Sequence, residues 1–136
     1  YAACVVEVKV DSDGTLTIIN ACGAADPGIA INPQGCRAQI ESGTLDGFSA
    51  ALGQKVEIEG GRVVSNNFDT YHMARIAASP HQFTAEVARN TIAPKGMGEM
   101  SLPPAIPALT NAIFAACGVR IRKLPIADQL KAAMKG

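Results

Sequence analysis

A carboxylate in a glycine-rich segment is the strongest candidate for chemistry in this sequence. Gly96 and Gly98 precede Glu99, and a proline-rich stretch that predicts the start of a helix follows within a few residues. Because glycine lets a backbone approach a ligand closely, a carboxylate in such a loop at the mouth of a helix is well placed for general base catalysis. A glutamate in a loop is also commonly an ordinary surface acid, and the residues alone leave both interpretations open.

A second candidate is a glutamine on a predicted helix that also contains two glycines. Gly43 and Gly47 lie about one turn apart, although glycine inside a helix costs about 1 kcal/mol relative to alanine. A helix face without side chains lets another backbone or a ligand approach, and the Gln39 amide at its end can donate and accept hydrogen bonds. The alternative is tight helix–sheet packing with a solvated Gln39.

Other patterns typical of catalytic or metal sites are incomplete. The cysteines are Cys4, Cys22, Cys36 and Cys117. They form no CxxC pair, so a structural zinc site is not expected and buried free thiols are favoured. The Gly96-x-Gly98 segment lacks the third glycine of a dinucleotide-binding loop, because Ser101 stands in its place. His72 and His81 have no acidic or nucleophilic partner at a diagnostic spacing.

Both candidates require an α+β framework to hold them. Hydrophobic periodicity and turn residues predict strands at 3–10 and 15–21, a loop at 23–28, a helix at 33–52, a hairpin at 55–59 and 62–64, an ordered connection at 65–80, a strand at 81–88, a helix at 104–117, a strand at 119–124 and a last helix opened by Pro125. Asn32 followed by Pro33 is a strong helix start. This order predicts two or more β-hairpins in a mixed, largely antiparallel sheet packed against about three helices.

Composition narrows the function classes. The chain of 136 residues is expected to form a single domain, 1–136, and 48% hydrophobic with 18% charged residues excludes intrinsic disorder. Twelve basic and twelve acidic residues give no excess of positive charge for nucleic acid. No apolar run approaches the roughly 18–20 residues of a transmembrane helix. The chain starts with Tyr1 directly in a predicted strand, so we expect a piece of something longer, whose compartment cannot be read from this end.

Three segments resemble the molybdopterin-binding subunits of the xanthine dehydrogenase/aldehyde oxidase family, in particular the isoquinoline 1-oxidoreductase β-subunit-like branch. Residues 96–126 (GMGEMSLPPAIPALTNAIFAACGVRIRKLPI) resemble the family's C-terminal signature of GxGE, a proline-rich link and a helix close to APALxNAIxxAxGxRIRxLP. Residues 32–52 resemble its NPxxxxxQxEGGxxxGLxxAL helix, and 67–80 resemble its NFxxY…R…P connection. The sequence departs from these patterns at Ser42, His72, Met100 and Ser101.

The resemblance implies a role for each candidate residue. Glu99 would be the catalytic base of a molybdenum hydroxylase, which oxidises aldehydes or N-heteroaromatic compounds with oxygen derived from water. Gln39, Gly96 and Gly98 would lie at the molybdopterin cofactor. The partners would be the remainder of the large subunit and an iron–sulfur small subunit or domain that carries electrons away. Two alternatives are a stand-alone α+β binding or assembly module without catalytic activity and, less favoured, a small enzyme that uses Glu99 without molybdenum.

Overall fold

A computed structural model describes residues 1–135. Groups of strands alternate with helices along this part of the chain. The strands are β1 (Ala2–Val10), β2 (Leu16–Ala25), β3 (Ile58–Glu59), β4 (Arg62–Val63) and β5 (Gln82–Val87). The α-helices are α1 (Pro33–Leu52), α2 (Leu102–Cys117) and α3 (Gln129–Met134), and a short 3₁₀ helix spans Ile76–Ala78. The predicted α+β class and both hairpins are therefore confirmed.

The main sheet has three strands in the order β1-β2-β5. β1 pairs with β2 in the antiparallel sense, from Ala2 opposite Ala25 to Val10 opposite Leu16, whereas β5 runs parallel to β2. β3 and β4 form a separate two-stranded hairpin. β2 continues to Ala25 through residues predicted as a loop, because residues 23–25 pair with both β1 and β5. Gly23 lies directly under α1, since a Cβ there would come within 2.5 Å of Cγ2 of Ile40.

Helix α1 begins and ends at the residues that the sequence predicts. The Asn32 side chain accepts a hydrogen bond from the Gly35 backbone N–H at 3.0 Å, and Pro33 opens the first turn. Ile40 and Phe48 are buried, and α1 packs against β5, β2 and α2. This helix therefore fixes the position of Gln39 relative to both the sheet and α2.

Helix α2 begins at Leu102, earlier than the predicted start at 104, so Pro107 lies inside the helix and not in its first turn. Its buried face consists of Ala105, Leu109 and Ile113, which pack toward β1 and α1. Gly118 ends the helix in the left-handed conformation at φ +75°, which glycine adopts readily at the end of a helix.

The predicted strand at 119–124 is wrong, because the sheet offers this segment no strand to pair with. The segment is irregular, and Ile121 packs into the core instead. The backbone N–H groups of Ile126 and Ala127 donate to the carbonyls of Ala51 and Leu52, which attaches the segment to the end of α1. Helix α3 begins at Gln129, later than Pro125, and buries Leu130.

The core lies between the sheet and the helices. It contains Ile18, Ala21, Phe48, Ala51, Ala105, Leu109, Ile113, Ile121, Ile126 and Leu130. Within residues 1–135, no helix is both long and apolar enough to cross a membrane. The same residues contain no cluster of three or more histidine, cysteine or acidic side chains suited to a metal ion, and the four cysteines are free and partly buried.

Candidate functional site

Asp26 anchors the loop that leads from β2 into α1. One carboxylate oxygen accepts the Gly28 backbone N–H at 3.0 Å, and the other accepts the Asn90 side-chain amide at 2.8 Å. These two hydrogen bonds lower the pKa of Asp26, and the bond from Gly28 has the larger effect. The charged carboxylate thus joins the loop before α1 to the segment after β5.

Two backbone hydrogen bonds extend this attachment toward the glycine-rich segment. The Ile29 N–H donates to the Ile92 carbonyl at 3.0 Å, and the Lys95 N–H donates to the Pro27 carbonyl at 2.7 Å. Residues 90–95 therefore run beside the loop that precedes α1. As a consequence, the chain enters the Gly96–Glu99 segment next to the first turns of α1.

The side chain of Gln39 contacts the glycine-rich segment directly. Its Nε2 donates to the Gly98 carbonyl at 3.2 Å, although the two residues are 59 positions apart in sequence. The backbone carbonyl of Gln39 accepts a hydrogen bond from Ser101 Oγ at 3.2 Å. The structure thus brings together the two segments from which the sequence offered candidate residues.

The glycine face of α1 is not open. A Cβ at Gly43 would lie 2.5 Å from Ser101 Oγ, and a Cβ at Gly47 would lie 2.9 Å from both the Leu102 carbonyl oxygen and the Ala105 Cβ. The start of α2 therefore occupies this face. Close packing therefore explains the two glycines, although the neighbouring element is helix α2 and not the sheet that this interpretation expected. The other interpretation, a bare helix face that a ligand approaches, is wrong.

Gly96 and Gly98, unlike Gly43 and Gly47, lie beside open space. A Cβ at either position would meet no atom within 4 Å among the described residues, and neither glycine has a left-handed φ. Both are exposed. Nothing inside residues 1–135 explains glycine at these two positions, so the open space beside them is available to a group outside this part of the molecule.

Glu99 is exposed at the end of this segment. Its backbone carbonyl accepts the Leu102 N–H at 3.2 Å, which turns the chain into α2. The two salt bridges found within residues 1–135 join Lys9 to Asp11 and Lys55 to Glu57, so Glu99 has no cationic partner there. Its carboxylate is therefore exposed at the surface of the loop, without an ion pair within residues 1–135.

A groove of about 500 Å³ lies beside Gln39, between the loop before α1 and the 94–97 segment. Its lining includes Cys36 and Gln39 from α1 and Lys95 and Met97 from the segment before Glu99. Sequence reasoning did not single out Cys36, Lys95 or Met97 as lining residues. Their positions on either side of Gly96 were the signal that could have identified Lys95 and Met97.

The family model for the molybdopterin cofactor-binding domain matches residues 1–80, which is more than half of the chain. The chain belongs to this family. The match confirms the resemblance to molybdopterin-binding subunits of the xanthine dehydrogenase/aldehyde oxidase family that the sequence motifs predicted. The matched region ends before Glu99, so the glycine-rich segment lies outside it.

Relatives of known name align with nearly the whole chain. A membrane-bound aldehyde dehydrogenase [pyrroloquinoline-quinone] of Gluconacetobacter polyoxogenes is 38% identical over 98% of this chain and 18% of its own length. A nicotinate dehydrogenase subunit of Pseudomonas putida is 33% identical over 100% of this chain and 12% of its own length. The aldehyde oxidoreductase of Desulfovibrio gigas superposes with a TM-score of 0.82 at 25% identity, over 96% of this chain and 15% of that chain. The chain thus spans less than a fifth of each.

Proposed function

We propose that residues 1–136 are a single domain at the C-terminal end of the molybdopterin-binding subunit of a molybdenum hydroxylase. The complete enzyme would oxidise aldehydes or N-heteroaromatic compounds with oxygen derived from water. The names of an aldehyde dehydrogenase and a nicotinate dehydrogenase among the relatives support these two substrate classes. In this proposal the chain supplies the catalytic base and one wall of the cofactor site.

One observation carries the proposal: the hydrogen bond from Gln39 Nε2 to the Gly98 carbonyl. It joins the family's glutamine-containing helix to its glycine-rich segment, and Glu99 follows directly. An amide held at this carbonyl is still able to accept a hydrogen bond at Oε1, which has no donor within residues 1–135. The same short stretch of surface therefore carries a side chain that can bind a cofactor, Gln39, and a side chain that can act as a base, Glu99.

The residues present at this surface fit a pterin. A pterin is flat, with nitrogen and oxygen atoms at its edges, and the amide of Gln39 can pair with such atoms. Gly96 and Gly98 leave open space in which a ligand can approach the backbone. We infer that these three residues would hold the molybdopterin, which supplies the molybdenum redox chemistry when bound.

Glu99 would act as the general base of the reaction. An exposed carboxylate without a cationic partner within residues 1–135 is able to take the proton from the water-derived oxygen as that oxygen bonds to the substrate carbon. The turn from the Glu99 carbonyl to the Leu102 N–H keeps the residue at the entrance to α2. The carboxylate is thereby held at the edge of the proposed cofactor surface.

The remaining walls of the site would come from partners. The chain is at most 18% of the length of the relatives described above, and a buried cofactor needs several convergent walls. We infer that the remainder of the large subunit supplies them. An iron–sulfur small subunit or domain would accept the electrons, and the relative named as a nicotinate dehydrogenase subunit is consistent with a multi-subunit enzyme.

Glu99→Gln in the complete enzyme tests the proposal. The substitution keeps the size of the side chain and removes the base, so turnover per mole of molybdenum should fall by about 10²-fold or more. Molybdenum content and unfolding temperature should stay near those of the wild type. The matched control is Glu59→Gln, because Glu59 is exposed on β3 in the separate hairpin and should leave turnover unchanged.

Three results would contradict the proposal. Retention of more than about a tenth of wild-type turnover per molybdenum would exclude Glu99 as an essential base. Absence of molybdenum from the purified complete protein would favour the alternative, a binding or assembly module. Recovery of pyrroloquinoline quinone in place of molybdopterin would instead assign to this chain the cofactor for which the Gluconacetobacter relative is named.

A further inference from the structure

Ser101 occupies an unusual position for a serine at the start of a helix. It is the N-cap residue of α2, where serine ordinarily accepts a hydrogen bond from a backbone N–H of the first turn. Its side chain makes no such bond. The residue is nevertheless 2% exposed, so its hydroxyl must find a partner elsewhere.

The partner lies on the neighbouring helix. Ser101 Oγ donates to the backbone carbonyl of Gln39 at 3.2 Å. Gly43, one turn further along α1, makes this contact possible, because a Cβ at Gly43 would lie 2.5 Å from Ser101 Oγ. The glycine and the serine thus form a complementary pair, in which the missing side chain of one makes room for the hydroxyl of the other.

The segment that contains Glu99 is therefore attached to one residue of α1 at two points. The Gly98 carbonyl accepts from the Gln39 side chain, and Ser101 Oγ donates to the Gln39 backbone. Glu99 lies between these two attachments. Because only Met100 separates Glu99 from the buried Ser101, fixing Ser101 restricts the positions that the Glu99 backbone can adopt.

We propose that Ser101 is a positioning residue for Glu99, acting through its hydrogen bond to Gln39 and the space left by Gly43. This inference rests on the proposed function, since it assumes that Glu99 is the base. Reactive groups must be held closely, and a displacement of about 1 Å can cost about 10²-fold in rate. Loss of the Ser101 hydroxyl should therefore reduce turnover without removing any group that touches substrate.

Ser101→Ala in the complete enzyme tests the proposal. We expect kcat per molybdenum to fall by about ten-fold while KM changes less than about two-fold, the pattern of a lost transition-state alignment. A readout independent of activity is amide hydrogen exchange in the cofactor-free protein. Exchange of the Leu102 amide, which donates to the Glu99 carbonyl at 3.2 Å, should accelerate by about ten-fold, since the segment would have lost one of its two attachments.

Ser42→Ala is the matched control. Ser42 Oγ also donates to the Gln39 carbonyl, at 3.3 Å, but from within α1, and its side chain is exposed. This variant should leave both kcat and the exchange of the Leu102 amide unchanged. An equal effect of Ser42→Ala would overturn the proposal, because the relevant feature would then be the Gln39 carbonyl itself.

The double variant Gly43→Ala/Ser101→Ala separates hydrogen bonding from packing. A Cβ at Gly43 would lie 3.7 Å from the Cβ at position 101, an ordinary contact, so Gly43→Ala fills the space that Ser101→Ala creates. We expect the double variant to unfold at a temperature near that of the wild type, while its kcat stays low. Recovery of kcat in the double variant would show that Ser101 acts by packing and would overturn the proposal.

Failure of this inference and failure of the proposed function give different results. Normal kcat in Ser101→Ala, together with a severe defect in Glu99→Gln, would overturn the positioning role and leave Glu99 as the base. Near-normal turnover in Glu99→Gln would refute the proposed function and with it the assignment of Ser101 to the base. Exchange of the Leu102 amide would still report in that case whether Ser101 holds the segment.

Discussion

Replacement of Gly98 by alanine distinguishes a segment that faces a cofactor from one that faces solvent. Within residues 1–135, a Cβ at this position meets no atom within 4 Å, and the backbone is not left-handed. The Gly98 carbonyl that accepts from Gln39 is retained. If nothing else occupies this space, the variant should be as stable as the wild type or more stable by about 0.4–1 kcal/mol, because alanine lowers the entropy of the unfolded chain.

The result changes if the cofactor occupies the space beside Gly98. A methyl group forced into a filled contact costs about 1–3 kcal/mol. At about 1.4 kcal/mol for each factor of ten, this corresponds to a loss of about 5- to 150-fold in cofactor affinity. We expect Gly98→Ala to lower the molybdenum content of the complete enzyme, while the unfolding temperature of the cofactor-free form does not fall.

Two measurements are therefore needed: molybdenum per mole of protein, and thermal unfolding of the cofactor-free form. Gly47→Ala is the matched substitution, since its Cβ would lie 2.9 Å from the Leu102 carbonyl and from the Ala105 Cβ. It should destabilise the cofactor-free form by overpacking α1 against α2. Unchanged molybdenum content and turnover in Gly98→Ala would refute the placement of Gly98 at the cofactor.

Three further outcomes are expected. Gln39→Ala in the complete enzyme should reduce molybdenum content or turnover while the fold persists, because loss of the amide leaves its polar partners unsatisfied at a cost of about 1–3 kcal/mol. Unchanged molybdenum content by metal analysis, together with unchanged turnover by steady-state kinetics, would count against a role of Gln39 at the cofactor. The isolated 136-residue chain should bind no molybdopterin, and stoichiometric cofactor on it by metal analysis would contradict this. Burial, and to a lesser extent the charge of Cys22, raises the pKa of Cys4 from 9.0 to about 11, so its alkylation by iodoacetamide should be slow near neutral pH and should accelerate toward pH 11. Since the pKa of Cys4 is higher in the folded state, its contribution to stability is complete below pH 9.0 and decreases as the pH rises to about 11, which urea unfolding across that range would show. Alkylation as fast as that of a free peptide thiol would contradict the raised pKa.

Elements with local signals were predictable from sequence. Helix α1 occupies the predicted residues because Asn32 and Pro33 supply a cap and a first turn within the segment itself. The first hairpin formed for a comparable reason, since one alternating run and one run of residues with strand propensity flank a turn that ends at Gly14, which adopts φ +82°. These interactions lie between residues close in sequence, and the pattern of residue types is enough to specify them.

Errors arose where the outcome depended on a distant partner. Residues 119–124 have strand propensity, yet no strand of the sheet pairs with them, and Ile121 is buried as part of an irregular segment. The parallel pairing of β5 with β2 was not specified by the sequence either, although a mixed sheet was expected. Alternation of apolar residues identifies a strand, but the neighbour of that strand is chosen by the packing of the whole sheet.

Local residue patterns and motifs were enough to predict the limits of α1, the two hairpins, the α+β class and the family resemblance. The contact of Gln39 with Gly98, and the packing of Gly43 against Ser101 in place of a ligand, emerge from the folded molecule alone. Both depend on the distance between two helices that are far apart in sequence. Burial of α1 and α2 against the sheet fixes their separation, and only at that separation do two glycines become contact points and a glutamine amide come within 3.2 Å of a carbonyl 59 residues away.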